Sequence, residues 1–153
     1  MDKIDLKILK ILQDNARTPL KQIASEVFLS SPAVSARIEK LENEGYIKSY
    51  SANIDRQKLG YHITAFINLE VPPAQKPVFY PFITSCPNVM ECNCVTGQFS
   101  MLIKVSFAST QELDTFIGKL QQFGVTQTQI VFSTAVEPRG IVIEDPEADE
   151  AVD

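Results

Sequence analysis

The spacing of apolar residues first changes near residue 50, from three or four positions to the two positions of a strand. That switch separates a helical part from a sheet part. Ile4, Ile8, Ile11 and Leu12 make a stripe along a helix running from about Asp2 to about Asn15. Thr18 and Pro19 supply an N-cap and a first-turn proline for a second helix carrying Leu20, Ile23, Ala24 and Val27. Between Val27 and Pro32 stands only "FLSS", enough for a tight turn between helices. A third helix follows, capped by Ser31, with Pro32 in its first turn, Val34, Ile38 and Leu41 buried, and Gly45 free to adopt the left-handed conformation that ends it. Tyr46 and Ile47 are expected to fold back over that end.

Two short helices across a tight turn, packed on a longer one, form a helix-turn-helix unit over residues 1–50. Its third helix has a second face, because Ser30, Ser31, Ser35, Arg37 and Lys40 lie outside the buried stripe. Small hydroxyl residues near a helix N-terminus let a duplex approach closely, and cations meet phosphates or a guanine edge. With Lys21 and Gln22 of the second helix, these residues are the candidate DNA-binding set; the alternative is an ordinary solvated polar surface. Glu39, Glu42 and Glu44 weaken the local field, Glu42 and Glu44 being expected to face away from the phosphates.

After residue 50, "SANIDRQKLG" carries no period and reads as a linker over residues 51–61. Ile63, Ala65, Ile67, Leu69 and Val71 then share one face of a strand. "VMECNCV" and "MLIKV" are two more strands around the turn "TGQFS", centred on Gly97. The first crossover, "PAQKPVFYPFITSCPN", contains Pro81 four residues after Pro77, so its helix is expected to be short, late or kinked. The second carries Leu113, Phe116, Ile117 and Leu120 on one face with Gly124 beyond its end, and a last strand is expected from about Val125 to Val136. The order β-α-β-β-α-β over residues 62–139 is the ferredoxin-like arrangement, so the fold class is α+β with both crossover helices on one face of an antiparallel sheet. The uncovered face needs a cover, and a second copy of the domain is the cheapest candidate.

Charge is distributed unevenly. The chain carries −5, yet residues 1–54 hold eight Lys/Arg against seven Asp/Glu, and six acids fall in the last ten residues. "EDPEADEAVD" therefore accounts for the low isoelectric point, and residues 140–153 are expected to be a solvated, disordered acidic tail. No stretch approaches the roughly 18 to 20 apolar residues of a bilayer span, and the charged first residues do not resemble a secretory signal, so a cytoplasmic location is expected. Cys86, Cys92 and Cys94 make a disulfide framework improbable; Cys92 and Cys94 share one strand face, and a metal site would need further ligands, His62 being the lone histidine. No metal and no cofactor are expected.

The run "DKIDLKILKILQDNAR", the segment "LSSPAVSARIEKLENEGYIKSY", the linker "KLGY" and "VTGQFSMLIKV" resemble, in order and spacing, the Lrp/AsnC (feast/famine) family of transcription regulators, over about residues 2 to 136. The resemblance implies a winged helix-turn-helix head and a RAM-type sensing domain. It also implies a homodimer built through the sheets, often assembled further into octamers, that binds double-stranded DNA. In the family, a small-molecule effector such as an amino acid sits between sheet domains near a turn reading Gly-Asp-Tyr/Phe-Asp. Here that turn is Gly97-Gln98-Phe99-Ser100, with serine replacing the acid suited to an ammonium group. The resemblance points to Thr96, Gly97, Gln98, Phe99 and Ser100, with Phe132, Ser133 and Thr134 from the last strand, as effector-binding residues; a different small molecule or no effector is the alternative.

Two other classes stay in view. The siroheme decarboxylases resemble the same family in both halves, but such an enzyme needs histidines and arginines for a polycarboxylated tetrapyrrole, and after residue 60 this chain offers only His62 and Arg139. The chain also lacks a nucleophile-base pair, so no catalytic residues are assigned. The third class is an oligomerising module whose head does not bind DNA.

Overall fold

A computed structural model describes residues 1–144, which divide into two units. One holds Met1–Asn53 and the stretch beginning at Glu137, the other Ile54–Val136. The head contains α1 (Lys3–Asp14), α2 (Leu20–Glu26) and α3 (Ser31–Asn43). Ile8, Ile23, Val27, Val34 and Leu41 form its buried core, with Ile4, Ile11, Leu12, Ile38 and Ile47 packed around them. The expected stripes are therefore the ones that pack, although Tyr46 stays half exposed while Ile47 turns inward.

Caps differ from expectation by one residue. Ser30, not Ser31, caps α3, its hydroxyl accepting from the Ala33 amide at 3.4 Å. Pro19, not Thr18, precedes α2, and the Thr18 hydroxyl turns back to donate to the Asn15 carbonyl at 2.7 Å. At the start of α1 the Asp2 carboxylate accepts from the Asp5 amide, and the Asp5 carboxylate accepts from the Asp2 amide, both at 2.9 Å. Arg37 of α3 then donates to both carboxylates, at 2.7 Å to Asp2 and 2.6 Å to Asp5. Asp5 is a buried charge at 4% exposure, and this cation neutralises it.

The turn between α2 and α3 closes with the Leu29 amide donating to the Ala24 carbonyl at 2.9 Å, which requires a left-handed residue at position 28. Phe28 occupies it at φ 56°, with its ring 89% exposed. After α3, Gly45 at φ 76° makes the expected stop. Residues 46–53, which follow α3 where a wing would, bend at Tyr46 and have no ladder partner among the described residues.

The second unit is a four-stranded antiparallel sheet in the order β2-β3-β1-β4, made of β1 (Ile63–Leu69), β2 (Val89–Cys94), β3 (Met101–Phe107) and β4 (Thr126–Ile130). The crossovers are α4 (Lys76–Ser85) and α5 (Thr110–Leu120), giving the expected β-α-β-β-α-β order. Ala65, Ile67 and Leu69 pair with Val105, Ile103 and Met101 and face the helices, burying against Phe79, Ile83, Leu113, Phe116 and Leu120. Cys92 and Cys94 lie on the same side, paired with Ile103 and Met101, and burial pushes the Cys92 thiol up. α4 is short but not late: it continues through Pro81 because Pro77 and Pro81 are both exposed, so the carbonyl that loses its donor faces water. Gly124 is required by space, since a Cβ there would lie 1.7 Å from the Glu70 carbonyl oxygen.

Three expectations follow for the head. Arg37→Ala strands the buried Asp5 carboxylate and lowers the melting temperature of the head by about 5–10 °C in a calorimetric scan. The Asp2 carboxyl is held below its ordinary 3.8 by the Asp5 amide and then by Arg37, so its contribution is complete above that value and is lost as pH falls below it. Asp2→Asn accordingly flattens the loss of stability on acidification below 3.8. Phe28→Gly relieves the left-handed backbone and raises stability by about 1 kcal/mol in urea unfolding, while a loss would mean the ring contributes more than its exposure suggests.

Candidate nucleic-acid interface and effector turn

A helix turns about 100° per residue, so on α3 the Ser35 and Arg37 side chains leave the axis about 160° apart. They cannot serve one face. The structure uses Arg37 on the inner edge, clasped to α1, and leaves Ser35 exposed on the outer one. Asp2, then Asp5, raise the Arg37 pKa above its ordinary value, since both carboxylates stabilise the charged guanidinium. Arg37 is thus engaged within the head, its Nη1 donating to both carboxylates, which sets it apart from the candidates that project freely.

The other candidates stay on the surface. Lys21, Gln22, Ser30, Ser35 and Lys40 are exposed and Ser31 half-buried. Gln22 donates to Glu26 at 3.0 Å, and Lys40 sits 3.8 Å from Glu44 in a loose surface pair. Glu42 accepts from the Tyr50 hydroxyl at 2.6 Å, so it is engaged with the segment after α3. Glu39, one turn beyond Ser35 on the same edge, stays exposed. Phe28 is the residue sequence reasoning missed: it stands two positions before the Ser30 cap, its ring in solvent. The signal lay in the turn itself, whose four-residue length demands a left-handed residue while offering no glycine.

In the sheet unit, the Val95 amide donates to the Ser100 carbonyl at 2.9 Å, closing a turn in which Gly97 has φ 108°. Thr96, Gly97 and Gln98 are exposed and Phe99 is half-buried. The Ser100 hydroxyl accepts from the Val71 amide at 3.0 Å and faces the Val71 carbonyl at 3.3 Å. Both bonds fasten the chain just beyond β1, so the Ser100 hydroxyl is engaged within the fold.

The last strand stops at Ile130, short of the expected Val136, because only Val131 still finds a partner, its amide donating to Thr64. Phe132, Ser133 and Thr134 lie beyond the strand and are exposed, Phe132 at 99%. β4 begins beside Leu69, which also pairs with Met101 next to the turn, and it ends beside Ala65. Residues 132–134 therefore emerge at the other end of β1 from residues 96–100, about 20 Å away along the strand. Within one chain the two groups do not converge.

Opposite the helices, the sheet presents Thr64, Phe66, Asn68, Leu102 and Lys104, with the Lys104 ammonium 5.6 Å from the Phe66 ring centroid. Ser106 opens toward this face with its hydroxyl buried and without a hydrogen-bond partner. Among the described residues, no helix is long and apolar enough to cross a membrane.

Comparison with known proteins agrees with this layout. Residues 1–48 match the family described as winged helix-turn-helix DNA-binding, and residues 64–141 match the Lrp/AsnC ligand binding domain. The HTH-type transcriptional regulator YezC of Bacillus subtilis is 40% identical over 88% of this chain and 96% of its own length. The structure of B. subtilis LrpC superposes with a TM-score of 0.84 at 28% identity, covering 90% of this chain and 99% of that one. A Neisseria meningitidis transcriptional regulator solved as an L-Met complex shares the fold, with a TM-score of 0.84 at 24% identity over 90% of this chain and 93% of its own. Both halves of the sequence, in the same order and over nearly the full length of these relatives, place the chain in one group: it belongs to the Lrp/AsnC family of helix-turn-helix transcriptional regulators.

Proposed function

We propose that the head reads double-stranded DNA through the outer edge of α3, with Ser30, Ser31 and Ser35 approaching the major groove and Lys21 and, from the Arg37 side of the helix, Lys40 meeting phosphates. The observation that carries this reading is the Arg37 clasp. By fixing the inner edge of α3 against α1, it leaves the serine edge exposed at the N-terminal turns, where a recognition helix meets bases. Few cations stand on that edge, so each head binds weakly and affinity comes from several heads on one duplex. Two heads related by a two-fold axis reach successive grooves when held about 34 to 36 Å apart or a multiple of that.

The same reading makes the sheet the dimerisation surface. Its open face carries Phe66 and Leu102 half-buried among polar groups and the unpartnered Ser106 hydroxyl, a mixed surface suited to a second copy of itself. Higher even assemblies such as an octamer extend that pairing.

A small-molecule effector, an amino acid being the first class to try, completes the proposal. It would use the exposed turn Thr96, Gly97, Gln98 and Phe99 of one copy, with Phe132, Ser133 and Thr134 supplied by another copy. Exposed amides around Gly97 suit a carboxylate, whereas the ammonium group lacks an acidic partner on this turn because Ser100 is engaged with Val71. A regulator of the same fold solved with L-Met supports the class of ligand.

Gel retardation on the DNA upstream of the protein's own coding sequence tests the head. Ser35→Glu should abolish retardation, and Lys21→Ala should weaken binding evenly across sequences while reducing the salt slope by about one per head engaged. Wild-type retardation by Ser35→Glu would remove the serine edge from the interface. Thermal denaturation in the presence of each of the twenty amino acids tests the effector. At about 100 times its dissociation constant a ligand stabilises the folded form by about 2.7 kcal/mol, and a site completed by two copies should show a shift that shrinks on dilution. A set of twenty flat responses would discard the amino acid.

A further inference from the structure

The described chain ends in a definite place. Beyond Glu137 it belongs to the head, where the Gln13 side-chain amide donates to the Ile141 carbonyl at 2.8 Å. Gly140 passes so close that a Cβ there would meet the Gln13 side chain at 2.0 Å. Ile141, Ile143 and Glu144 then line a groove of about 790 Å³ that reaches from Gln13 past Leu9 and Leu6 to Met1 along α1. The chain thus leaves the described residues inside a groove whose far end is the N-terminal end of that helix.

Helical geometry sets what stands beside the groove. Lys3, Lys7 and Lys10 fall within an arc of about 60° on α1, next to the Leu6 and Gln13 edge and away from the buried Ile8. From Gln13 back to Lys3 the helix rises about 15 Å. Residues 145–153 can span about 30 Å, so the whole stripe is within reach of them. Their charge is complementary: Asp145, Glu147, Asp149, Glu150 and Asp153, with no lysine or arginine among them.

We propose that residues 145–153 dock on the lysine stripe of α1 in their own chain and that a DNA duplex must displace them. The displacement half rests on the DNA-binding reading above; the docking half does not. Exposed carboxylate–lysine pairs are individually weak and screened by salt, but the Gln13–Ile141 anchor makes the encounter intramolecular and raises the effective concentration of the tail. The result is a salt-sensitive strap that lowers the positive field of the head when no DNA is bound. The head then goes from about neutral in the open form to strongly negative in the strapped one, since residues 1–54 carry only +1 and residues 137–144 carry −1.

Carbodiimide cross-linking of the full chain, read by mass spectrometry, tests the docking directly, and an equal mixture of isotopically light and heavy chains separates links within a chain from links between chains. Cross-links should join Lys3, Lys7 or Lys10 to carboxylates of residues 145–153 within one chain, and they should fade when a mixed-sequence duplex is added. Truncation after Glu144 should tighten binding to that duplex about ten-fold at low salt and no more than about two-fold at high salt. Asp145→Asn, Glu147→Gln, Asp149→Asn, Glu150→Gln and Asp153→Asn together should do the same without shortening the chain. Recovery of the Lys40–Glu44 link without any link from the tail to α1, or tail links found only between differently labelled chains, would overturn the docking. Tail links to α1 with unchanged duplex affinity after truncation would overturn the displacement. Tail links to α1 with no retardation by either form would uphold the docking and count against the DNA-binding reading.

Discussion

Arg37 reaches from α3 to two carboxylates that the start of α1 already holds in place by their own backbone bonds. A guanidinium has the donors and the planar geometry to hold two acceptors at once, and one of these acceptors is buried, so the pair fixes the roll of α3 about its own axis as well as its distance from α1. What faces outward follows from that roll. With Arg37 turned in, the side chains about 160° around the helix, Ser35 among them, turn out, and the Ser30 cap brings the first turn to the surface beside them. The Arg37 charge is spent within the head, and the serine edge is small and hydroxyl-bearing, with Glu39 exposed beside it. Such an edge suits a protein whose affinity is spread over several heads.

The sheet unit spends its polar residues in a similar way. Ser100 occupies the position where the family places an acid, and its hydroxyl ties the Val71 backbone to the start of β3. The exposed turn around Gly97 and the segment after β4 lie at opposite ends of β1, so a ligand touching both needs a second chain. A sensing site of that kind couples ligand to assembly by construction, because the copies must be in register before the site exists.

Much of this was legible in the residues. The change of apolar period separated head from sheet, and Ile8, Val34, Leu41, Ala65, Ile67 and Leu69 are buried where their spacing put them. The order of strands and crossovers gave the ferredoxin-like topology observed. The Arg37 ion pairs were not legible, because polarity alone does not say which polar neighbour a side chain will choose, although its place two residues from Ser35 already ruled out a common face. Phe132, Ser133 and Thr134 were expected in the last strand, but a strand needs a partner and the last bond from this segment to β1 is that of the Val131 amide to Thr64. Ser100 could not be read at all without the fold, since Val71 lies 29 positions away. Of the acidic tail, residues 140–144 run along the head, whereas the expectation of disorder for 145–153 lies outside the described residues.

The central claim is that the outer serine edge of α3 touches the duplex. A photo-reactive phenylalanine analogue placed at position 35, with the same analogue at position 119 on α5 as reference, measures that contact directly under ultraviolet light with bound DNA. The account requires a covalent protein–DNA adduct from position 35 and none from position 119. Equal yields from the two positions, or an adduct from position 119 alone, would contradict it.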